Sequence, residues 1–362
     1  MVFELSEHNA VAYLEQRGWL TLPGGRLTVL SGGISNVVLA VETVFGPVVL
    51  KQSRQQLRTA DPWFSDLDRL FREVAACRLL HSILGSPHVP VVYFLDRQAY
   101  LCGMEKMRGA CVTWKEYMLA GWASVAAARV AGSMLGRLHE ATAALLRHSE
   151  LPDGPAELAG KRVFEQLRVQ PYYRRVCERR PEVASLVAPI IESTLQTTEA
   201  LCHGDYSPKN LLVVGLAPSE PVDERFVFAD PAGGRATFCL VDHEVAHWGD
   251  PAMDVGFCLT HLVLKSIRHA PDSSRFVVLG DSFLSGYSAQ VAFRDPQELI
   301  RRGLAHLGVC ILARIDGTSK IEYLPEEPRR EVARRIGRRL LREAPGTWSQ
   351  ARDLIESELQ AL

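Results

Sequence analysis

The sequence predicts an α+β protein with two lobes, a strand-rich N-terminal lobe followed by a mainly helical C-terminal lobe. Two observations lead to this prediction. Apolar residues recur at every second position between residues 27 and 52, which is typical of strands with one buried face. From Trp114 onward, alanine- and leucine-rich stretches have helical periodicity. We therefore expect an N-terminal lobe at residues 1–108 and a C-terminal lobe at residues 109–362.

The N-terminal lobe is predicted to begin with a short amphipathic helix at residues 7–17, followed by a three-stranded antiparallel meander. Gly32-Gly33 interrupts the first pair of strands, and Gly46-Pro47 makes the turn into the third. The other elements expected in this lobe are a long helix at residues 66–81 and two strands around residues 89–96 and 99–105.

The C-terminal lobe is predicted to be helical except for a short excursion into strands. The excursion covers residues 201–214 and 238–246, with a Gly/Pro-rich insertion between its halves. The helical stretches expected around it are residues 123–149, at least two helices within residues 155–200, and residues 251–362.

Bulk composition is that of an ordinary globular enzyme, with 47% hydrophobic residues, 23% charged residues and a formal net charge of −1. No global field attracts the chain to nucleic acid or membrane, so neither is an expected partner. The sequence shows no signal peptide and no membrane span, and its eight cysteines contain no C-x-x-C pair. We expect buried free thiols and a cytoplasmic location, and the sequence makes no prediction of oligomeric state.

The most informative segment of the C-terminal lobe is residues 201–213, LCHGDYSPKNLLV. It places Asp205 five residues before Asn210 in a predicted loop, with an apolar strand directly after. Phosphoryl transfer requires a carboxylate that orients or deprotonates the attacking hydroxyl group, and an oxygen ligand for Mg²⁺ a short loop away. Asp205 fits the first role and Asn210 fits the second.

A second segment supplies another carboxylate at the end of an apolar strand. Residues 238–241 lead into Asp242, which follows Asp205 by 37 residues. A carboxylate in this position can bridge a metal ion to nucleotide phosphates. Taken singly, each aspartate is more often a turn or cap residue. Together and in this order, they predict a phosphoryl-transfer site.

A zinc site is the alternative use of this region, because His243 and His247 lie four residues apart. The surrounding sequence is typical of a strand end and a loop, without the helix that an H-E-x-x-H site needs. We therefore do not expect zinc.

The pattern HGDYSPKN followed by LVDHEVAHWGDPAMD resembles the aminoglycoside phosphotransferase and choline kinase superfamily. The resemblance implies a protein-kinase-like bilobal fold and an ATP-dependent small-molecule kinase. It also implies that Asp205 is the catalytic base, that His203 orients the same loop, and that Asn210 and Asp242 bind Mg²⁺. The resemblance further implies that Asp254 fixes the catalytic loop, and that Glu244 assists the metal ion or its bound water.

The N-terminal lobe carries the residues that the resemblance assigns to ATP. Glycines in a turn allow the backbone to approach phosphate oxygens, although a simple hairpin turn is an alternative explanation. Lys51 ends an apolar strand, and Glu73 follows 22 residues later on a predicted helix as its partner. The alternative partner for Glu73 is Arg69, one helical turn away. The residues expected to bind the nucleotide, including two hinge residues whose backbone would meet adenine, are Gly32, Gly33, Ser35, Asn36, Lys51, Glu73, Glu105 and Met107.

The expected acceptor is a hydroxyl group on a small molecule, since the superfamily includes kinases of aminoglycosides, choline, homoserine, methylthioribose and other sugars. The spacing KQ-x₁₁-F-x₆-FRE also resembles methylthioribose kinases, although those enzymes depart from the asparagine of the H-G-D loop. Residues 314–317 are a candidate for lining the acceptor site. A cationic acceptor would require an acidic pocket, for which the candidate residues are Glu140, Glu322, Glu326 and Glu327.

Two functions from other classes remain open. One is a non-catalytic nucleotide-binding protein on the same fold, and the other is transfer of a nucleotidyl group such as AMP. Residues 329–342 contain seven arginines at helical spacing, which predicts a surface helix paired with nearby glutamates. Binding of nucleic acid, an anionic lipid or an acidic acceptor is the alternative role for that helix.

Overall fold

The computed structural model describes residues 3–20, 27–30, 36–44, 46–58, 62–107, 112–147, 156–215, 226–228 and 235–362. Some predictions lie outside these residues. They concern Gly32, Gly33 and Ser35 of the glycine-rich turn, the lobe boundary between residues 108 and 109, and most of the insertion at residues 215–237.

The described part of the N-terminal lobe is built on a five-stranded antiparallel sheet. Its strands are β1 Leu27–Val29, β2 Asn36–Thr43, β3 Gly46–Ser53, β4 Val92–Asp96 and β5 Leu101–Glu105. The strand order is β1-β2-β3-β5-β4, which confirms the predicted meander and adds β5 beside β3. Lys51 pairs with Cys102 in that central position, so the predicted phosphate-binding lysine lies on an inner strand.

Two helices accompany this sheet, α1 Ala10–Gln16 and α2 Arg69–Leu84. α1 begins later than predicted because the chain first turns at Ser6, whose carbonyl oxygen accepts from the Ala10 N–H at 3.0 Å. α2 packs Leu70 and Val74 against β5. This contact fixes the rotation of α2 about its axis. Glu73 of the same helix consequently points toward β3.

The remaining described chain is mainly helical, as predicted. Its helices are α3 Trp114–Leu119, α4 Val125–Arg147, α5 Ala156–Ala159, α6 Arg162–Phe164, α7 Arg175–Arg179, α8 Ala184–Gln196, α9 Pro251–Arg268, α10 Ser274–Ser288, α11 Pro296–Asp316, α12 Glu327–Glu343 and α13 Trp348–Leu359. A π-helical segment, Glu165–Arg174, joins α6 to α7, and a 3₁₀ turn, Pro181–Val183, precedes α8.

The predicted excursion into strands forms two small sheets in the described part of this lobe. Their strands are β6 Val112–Thr113, β7 Ala200–Cys202, β8 Leu211–Val214, β9 Thr237–Leu240 and β10 His247–Gly249. β8 lies between β6 and β9, while β7 pairs with β10. The loop after β7 leads into β8, and the segment after β9 leads into β10, so each of the two runs from one small sheet to the other.

Close helix packing supports these loops from below. α9 is buried along nearly its whole length and packs on α11. Gly132 of α4 lies so close to α10 that a Cβ atom there would be 1.9 Å from the carbonyl oxygen of Phe283. In the described part of the chain, every helix is too short or too polar to span a bilayer.

Candidate active site

The site forms where the loop at residues 203–210 meets the segment that follows β9. Pairing of β8 with β9 sets Leu211 opposite Leu240, and the Val241 N–H donates to the carbonyl oxygen of Asn210 at 3.0 Å. A two-strand ladder therefore places Asn210 and Asp242 at adjacent strand ends, although they are far apart along the chain.

Asp205 lies in this loop with both carboxylate oxygens engaged. Asn210 Nδ2 donates to Asp205 Oδ2 at 2.9 Å and to the Asp205 carbonyl oxygen at 3.0 Å. Arg168 Nη2 makes an ion pair with Asp205 Oδ1 at 2.8 Å. The amide nitrogen of Asn210 faces Asp205, and among the described residues no hydrogen bond is formed to its Oδ1.

The loop is held from below by Asp254 of α9. Its Oδ2 accepts from the His203 N–H at 2.6 Å, and its Oδ1 accepts from the Gly204 N–H at 2.9 Å. Burial alone would raise the pKa of Asp254, but the hydrogen bond and charge of His139 lower it. A fully buried carboxylate that accepts two backbone N–H groups fixes the loop in one conformation.

His203 positions the loop and is buried. Its Nδ1 accepts from the Asp205 N–H at 3.2 Å, so Nε2 carries the proton that is donated to the Val241 carbonyl oxygen at 3.1 Å. Burial lowers the pKa of His203, which favours this neutral form. The imidazole thus connects the Asp205 loop to the strand end that carries Asp242.

Lys51 joins the two lobes at this point. Its Nζ lies 2.6 Å from Glu73 Oε1 and 2.5 Å from Asp242 Oδ1. Burial alone would lower the pKa of Lys51, but the carboxylates of Asp242 and Glu73 raise it well above its ordinary value. The alternative pairing of Glu73 with Arg69 is wrong, because the Arg69 side chain is fully buried and its Nε donates to Glu244 Oε2 at 3.1 Å.

Asp242 has an uncommon backbone conformation, with φ 68° and ψ 57°. A residue with a side chain pays a conformational cost in this left-handed region, and such residues cluster at functional sites. Burial alone would raise the pKa of Asp242, but Lys51 and then Lys209 lower it. Lys209 Nζ lies 3.7 Å from Asp242 Oδ2 and 3.9 Å from Asp205 Oδ2.

The carboxylates here suit a hard divalent cation. Side-chain oxygens of Glu73, Asp242 and Glu244 all lie within 4.8 Å of one another. Carboxylate oxygens, together with the unengaged amide oxygen of Asn210, are the donor type that Mg²⁺ prefers. Lys51 and Lys209 balance the charge of Asp242 in this structure, which shows that the position attracts cations.

Asn36 reaches the same place from the start of β2, where its Nδ2 donates to Glu244 Oε2 at 2.8 Å. It is the described end of the predicted glycine-rich turn. Nearby, His243 Nε2 contacts the Leu240 carbonyl oxygen at 3.2 Å, and His247 Nδ1 contacts the Val245 carbonyl oxygen at 3.0 Å.

The two residues predicted to form the hinge lie at the end of β5 and just after it. Glu105 ends β5, and its N–H donates to the Val91 carbonyl oxygen at 2.7 Å. Met107 is buried in an apolar group with Val214 and Cys239. This group continues along β8 and β9 toward Asp242, so an apolar surface adjoins the charged cluster.

Two basic residues near Asp205, Arg168 and Lys209, were not among the sequence predictions. Arg168 lies in the π-helical segment, and its Nε donates to the Gly204 carbonyl oxygen at 2.7 Å. No local motif marks it in the sequence. Lys209 could have been predicted, because it directly precedes Asn210 within the same loop motif.

Comparison with known proteins agrees with this geometry. The sequence model of the phosphotransferase enzyme family matches residues 26–219, which is more than half of the chain. Methylthioribose kinase 2 of Oryza sativa subsp. japonica is 26% identical over 261 residues, covering 63% of this chain and 60% of the relative. The chain thus spans less than two thirds of the length of the curated relatives it matches.

Solved structures show the same fold at low sequence identity. The GDP complex of a point mutant of aminoglycoside 2'-phosphotransferase-IIIa is 15% identical, with a TM-score of 0.52 over 93% of this chain and 96% of that one. An ethanolamine kinase from Plasmodium vivax is 11% identical, with a TM-score of 0.51 over 89% of this chain and 83% of that one. These likenesses establish the protein-kinase-like bilobal fold, and the match of the family model shows that the chain belongs to the phosphotransferase enzyme family.

Proposed function

We propose that this protein transfers the γ-phosphate of ATP to a hydroxyl group of a small molecule. The observation that carries the proposal is the convergence of Asp205, Asn210, Asp242 and Lys51, residues from both lobes, on one cluster. Family membership and the names of the relatives, which include methylthioribose and ethanolamine kinases, support the same reaction class.

The nucleotide would lie between the lobes. Lys51, held by Glu73, would meet its phosphates, and the backbone at Glu105 and Met107 would meet its base beside the apolar wall. The residues of the glycine-rich turn proposed to cover the phosphates are Gly32, Gly33, Ser35 and Asn36.

Asn210 and Asp242 would hold Mg²⁺, with Glu244 in support. When bound, the metal ion would neutralise charge on the phosphate oxygens. The residues themselves supply the Asn210 amide oxygen, to which no hydrogen bond is formed among the described residues, and the Asp242 carboxylate, which is paired with Lys51.

Asp205 would act on the acceptor. The acceptor's hydroxyl oxygen forms a bond to the γ-phosphorus, while the bond from that phosphorus to the bridging oxygen breaks and ADP leaves. The hydroxyl proton passes to the Asp205 carboxylate and then to solvent. Arg168 and Asn210 hold the carboxylate in place for this contact. ATP and Mg²⁺ are cytoplasmic reactants, so we propose that the protein works in the cytoplasm.

The test is Asp205→Asn, assayed for Mg²⁺-dependent conversion of ATP to ADP with a panel of hydroxylated acceptors. We expect kcat to fall by about 10²–10⁴-fold, while ATP binding measured by calorimetry stays at the wild-type level. The matched control is Asp353→Asn, which removes an exposed carboxylate on α13. Wild-type turnover by Asp205→Asn would contradict the proposal, and a product whose mass has increased by AMP would show nucleotidyl transfer instead.

A further inference from the structure

A group of basic residues, here called the basic pocket, borders the candidate active site in the C-terminal lobe. His261 and Lys265 lie one turn apart on α9, so their side chains share a face of that helix. The other members come from distant parts of the chain, Lys115 on α3 and Arg314 on α11. None of the four contacts Asn210 or Asp242 in the hydrogen bonds and ion pairs of the described residues.

Lys265 is fully buried, and the Glu322 carboxylate, which is paired with Lys115, acts on it without a direct contact. Its Nζ donates to the Tyr323 hydroxyl at 3.1 Å and lies 4.4 Å from the centroid of that ring. In the part of the chain that the structure describes, no acidic side chain forms an ion pair with it. Burial lowers the pKa of Lys265 well below its ordinary value, and Lys115 and Arg314 lower it further. A cation placed this way weakens the fold, which indicates a role in binding.

His261 gives an independent indication of a ligand. The residue is only 7% exposed, and neither ring nitrogen makes a hydrogen bond to the described residues. Its described ring contact is with Phe257, at 5.3 Å between centroids. A buried imidazole without a protein partner is a polar group that a bound molecule would satisfy.

The basic pocket is connected to Asp205 by direct contacts. Arg314 Nη1 donates to the Tyr172 hydroxyl at 3.0 Å, and the Arg168 guanidinium lies 5.4 Å from the Tyr172 ring. Arg168 in turn pairs with Asp205. On the other side, the Lys115 N–H donates to the Pro208 carbonyl oxygen in the catalytic loop at 2.9 Å. The basic pocket and the Asp205 loop are therefore linked through Tyr172 and Arg168 on one side and through Lys115 on the other.

The acidic pocket that a cationic acceptor would need does not form from the predicted residues. Glu322 pairs with Lys115, while Glu140 accepts backbone N–H groups of the segment after α10. Glu327 pairs with Arg334 on α12, and Glu326 directly precedes that helix. Glu322 is thus an acidic group at the basic pocket, but among the described residues it forms an ion pair with Lys115 and none with Lys265 or Arg314.

We infer that the acceptor carries an anionic group, a carboxylate or a phosphate monoester, bound by Arg314 and His261 and attracted by the nearby buried Lys265. This inference rests on the proposed phosphotransferase function and specifies its substrate class. With the anion in the basic pocket, the acceptor hydroxyl would face Asp205, and the transfer would run as described above, giving the phosphorylated acid, ADP and a proton. Opposite charges in a desolvated pocket discriminate strongly against neutral and cationic molecules.

The first experiment compares matched pairs of probes by calorimetry in the presence of Mg²⁺ and ADP at constant ionic strength. The pairs are glycerol with glycerate and ribose with ribose 5-phosphate, and kanamycin serves as the cationic probe. We expect at least one anion to bind about 10-fold or more tightly than its neutral partner, and the better pair identifies carboxylate or phosphate. If neither anion exceeds its neutral partner, or if kanamycin binds best, the inference is wrong.

The second experiment repeats the titrations with Lys265→Met and Arg314→Gln. Each should weaken binding of the preferred anion by about 10–100-fold, with ADP affinity unchanged, which also shows that the variant is folded. Arg301→Gln, an exposed arginine on α11, is the matched control. If an anion binds in a Lys265-dependent way but no Asp205-dependent transfer is detected, only the phosphotransferase proposal is rejected. Asp205-dependent transfer to a neutral or cationic acceptor would reject the anionic acceptor alone.

Discussion

The carboxylate of Asp205 is held by two side chains that differ in origin. Asn210 comes from the same loop, five residues along, whereas Arg168 comes from the helical segment before α7. Arg168 also donates to the Gly204 carbonyl oxygen, so one guanidinium fixes both the backbone and the side chain of the loop. A planar fork can do this in a way that a lysine cannot.

The first prediction concerns this arginine. Arg168→Met should lower kcat by about 10–100-fold, because Asp205 would lose the contact that orients it. The KM for ATP should stay near the wild-type value, since Arg168 does not contact the nucleotide-binding residues described above. Steady-state kinetics check both parameters. Arg174→Met, an exposed arginine in the same segment, is the control, and equal kinetics of the two variants would contradict a positioning role.

The second prediction concerns Lys265, whose charge is costly in the folded state. Lys265→Met should raise the free energy of unfolding at pH 7 by about 1–4 kcal/mol. In the wild type, the lowered pKa of Lys265 means that folding releases a proton at pH values between that pKa and about 10.4, the value in the unfolded chain. The free energy of unfolding of the wild type therefore rises with pH in this window. The stability difference between Lys265→Met and the wild type consequently shrinks.

Urea denaturation at pH 7 and near pH 10 measures this effect. The control is Lys320→Met, which removes an exposed lysine and should leave stability unchanged at both pH values. A destabilised Lys265→Met protein, or an advantage that does not shrink with pH, would show that the lysine has a structural role.

The residues that sequence reasoning found and those it missed differ in one respect. Asp205, Asn210 and Asp242 belong to local motifs in which spacing and an adjoining apolar strand carry the signal. Arg168 and Lys265 depend on contacts with residues far along the chain. No pattern of neighbours distinguishes them from other basic residues of helices, so only the three-dimensional arrangement reveals them.

Among the secondary-structure elements, the π-helical segment Glu165–Arg174 determines how two of its side chains reach the site. Its wider turn contains Pro171 and presents both Arg168 and Tyr172 toward the site. π-helical turns are often found at functional sites. The sequence predicted helices in this region but not their type, because helical periodicity alone does not distinguish an α-turn from a wider one.

Arginines of α12 form ion pairs with nearby carboxylates, as the sequence predicted for a surface helix. Arg334 contacts Asp316 and Glu327, while Arg338 pairs with Glu331. Arg329 instead donates to carbonyl oxygens at the end of α9. These contacts balance much of the positive charge on the helix. Most of the carboxylates involved belong to nearby glutamates, as predicted from the sequence.

The third prediction concerns Gly204, where the loop at residues 203–210 packs against the segment after Asp242. Gly204 has φ +74°, and a Cβ atom there would lie 2.7 Å from the Val245 carbonyl oxygen. Gly204→Ala should lower the free energy of unfolding by about 1–3 kcal/mol. It should also reduce kcat, because relief of the clash moves the Asp205 loop away from the segment after Asp242.

Chemical denaturation and steady-state kinetics test this together. Gly160→Ala is the control, since a Cβ atom at Gly160 would have no neighbour within 4 Å. If Gly204→Ala were as stable and active as Gly160→Ala, the close approach of the two segments would not be important for the site.

On the scale of the whole molecule, the order of the lobes and most of their elements were predictable, because strand periodicity is prominent up to residue 105 and helical periodicity dominates from Trp114 onward. The basic pocket was not predictable. Its members come from α3, α9 and α11, and nearly 200 residues separate Lys115 from Arg314. Only Arg314 lies in a segment that the sequence suggested as an acceptor lining, so the charge of the pocket emerges from tertiary packing.

Contacts between the lobes converge on residues 242–246. Lys51 of β3 pairs with Asp242, and Arg69 of α2 pairs with Glu244. Arg72, also on α2, donates to the Ala246 carbonyl oxygen at 2.9 Å. The segment that carries the proposed metal ligand is therefore also one of the places where the N-terminal lobe is attached, so changes in these contacts should alter the site directly.

The last prediction tests this attachment. Arg69→Met would leave Glu244 buried without its cationic partner, and the expected cost is about 3–5 kcal/mol in the free energy of unfolding. Arg69→Met combined with Glu244→Gln should recover part of this loss, because the unpaired charge is removed as well. Arg78→Met, an exposed arginine on α2, provides the control in chemical denaturation. A loss no larger than that of Arg78→Met, or no recovery in the double variant, would mean that this ion pair does not hold the lobes together.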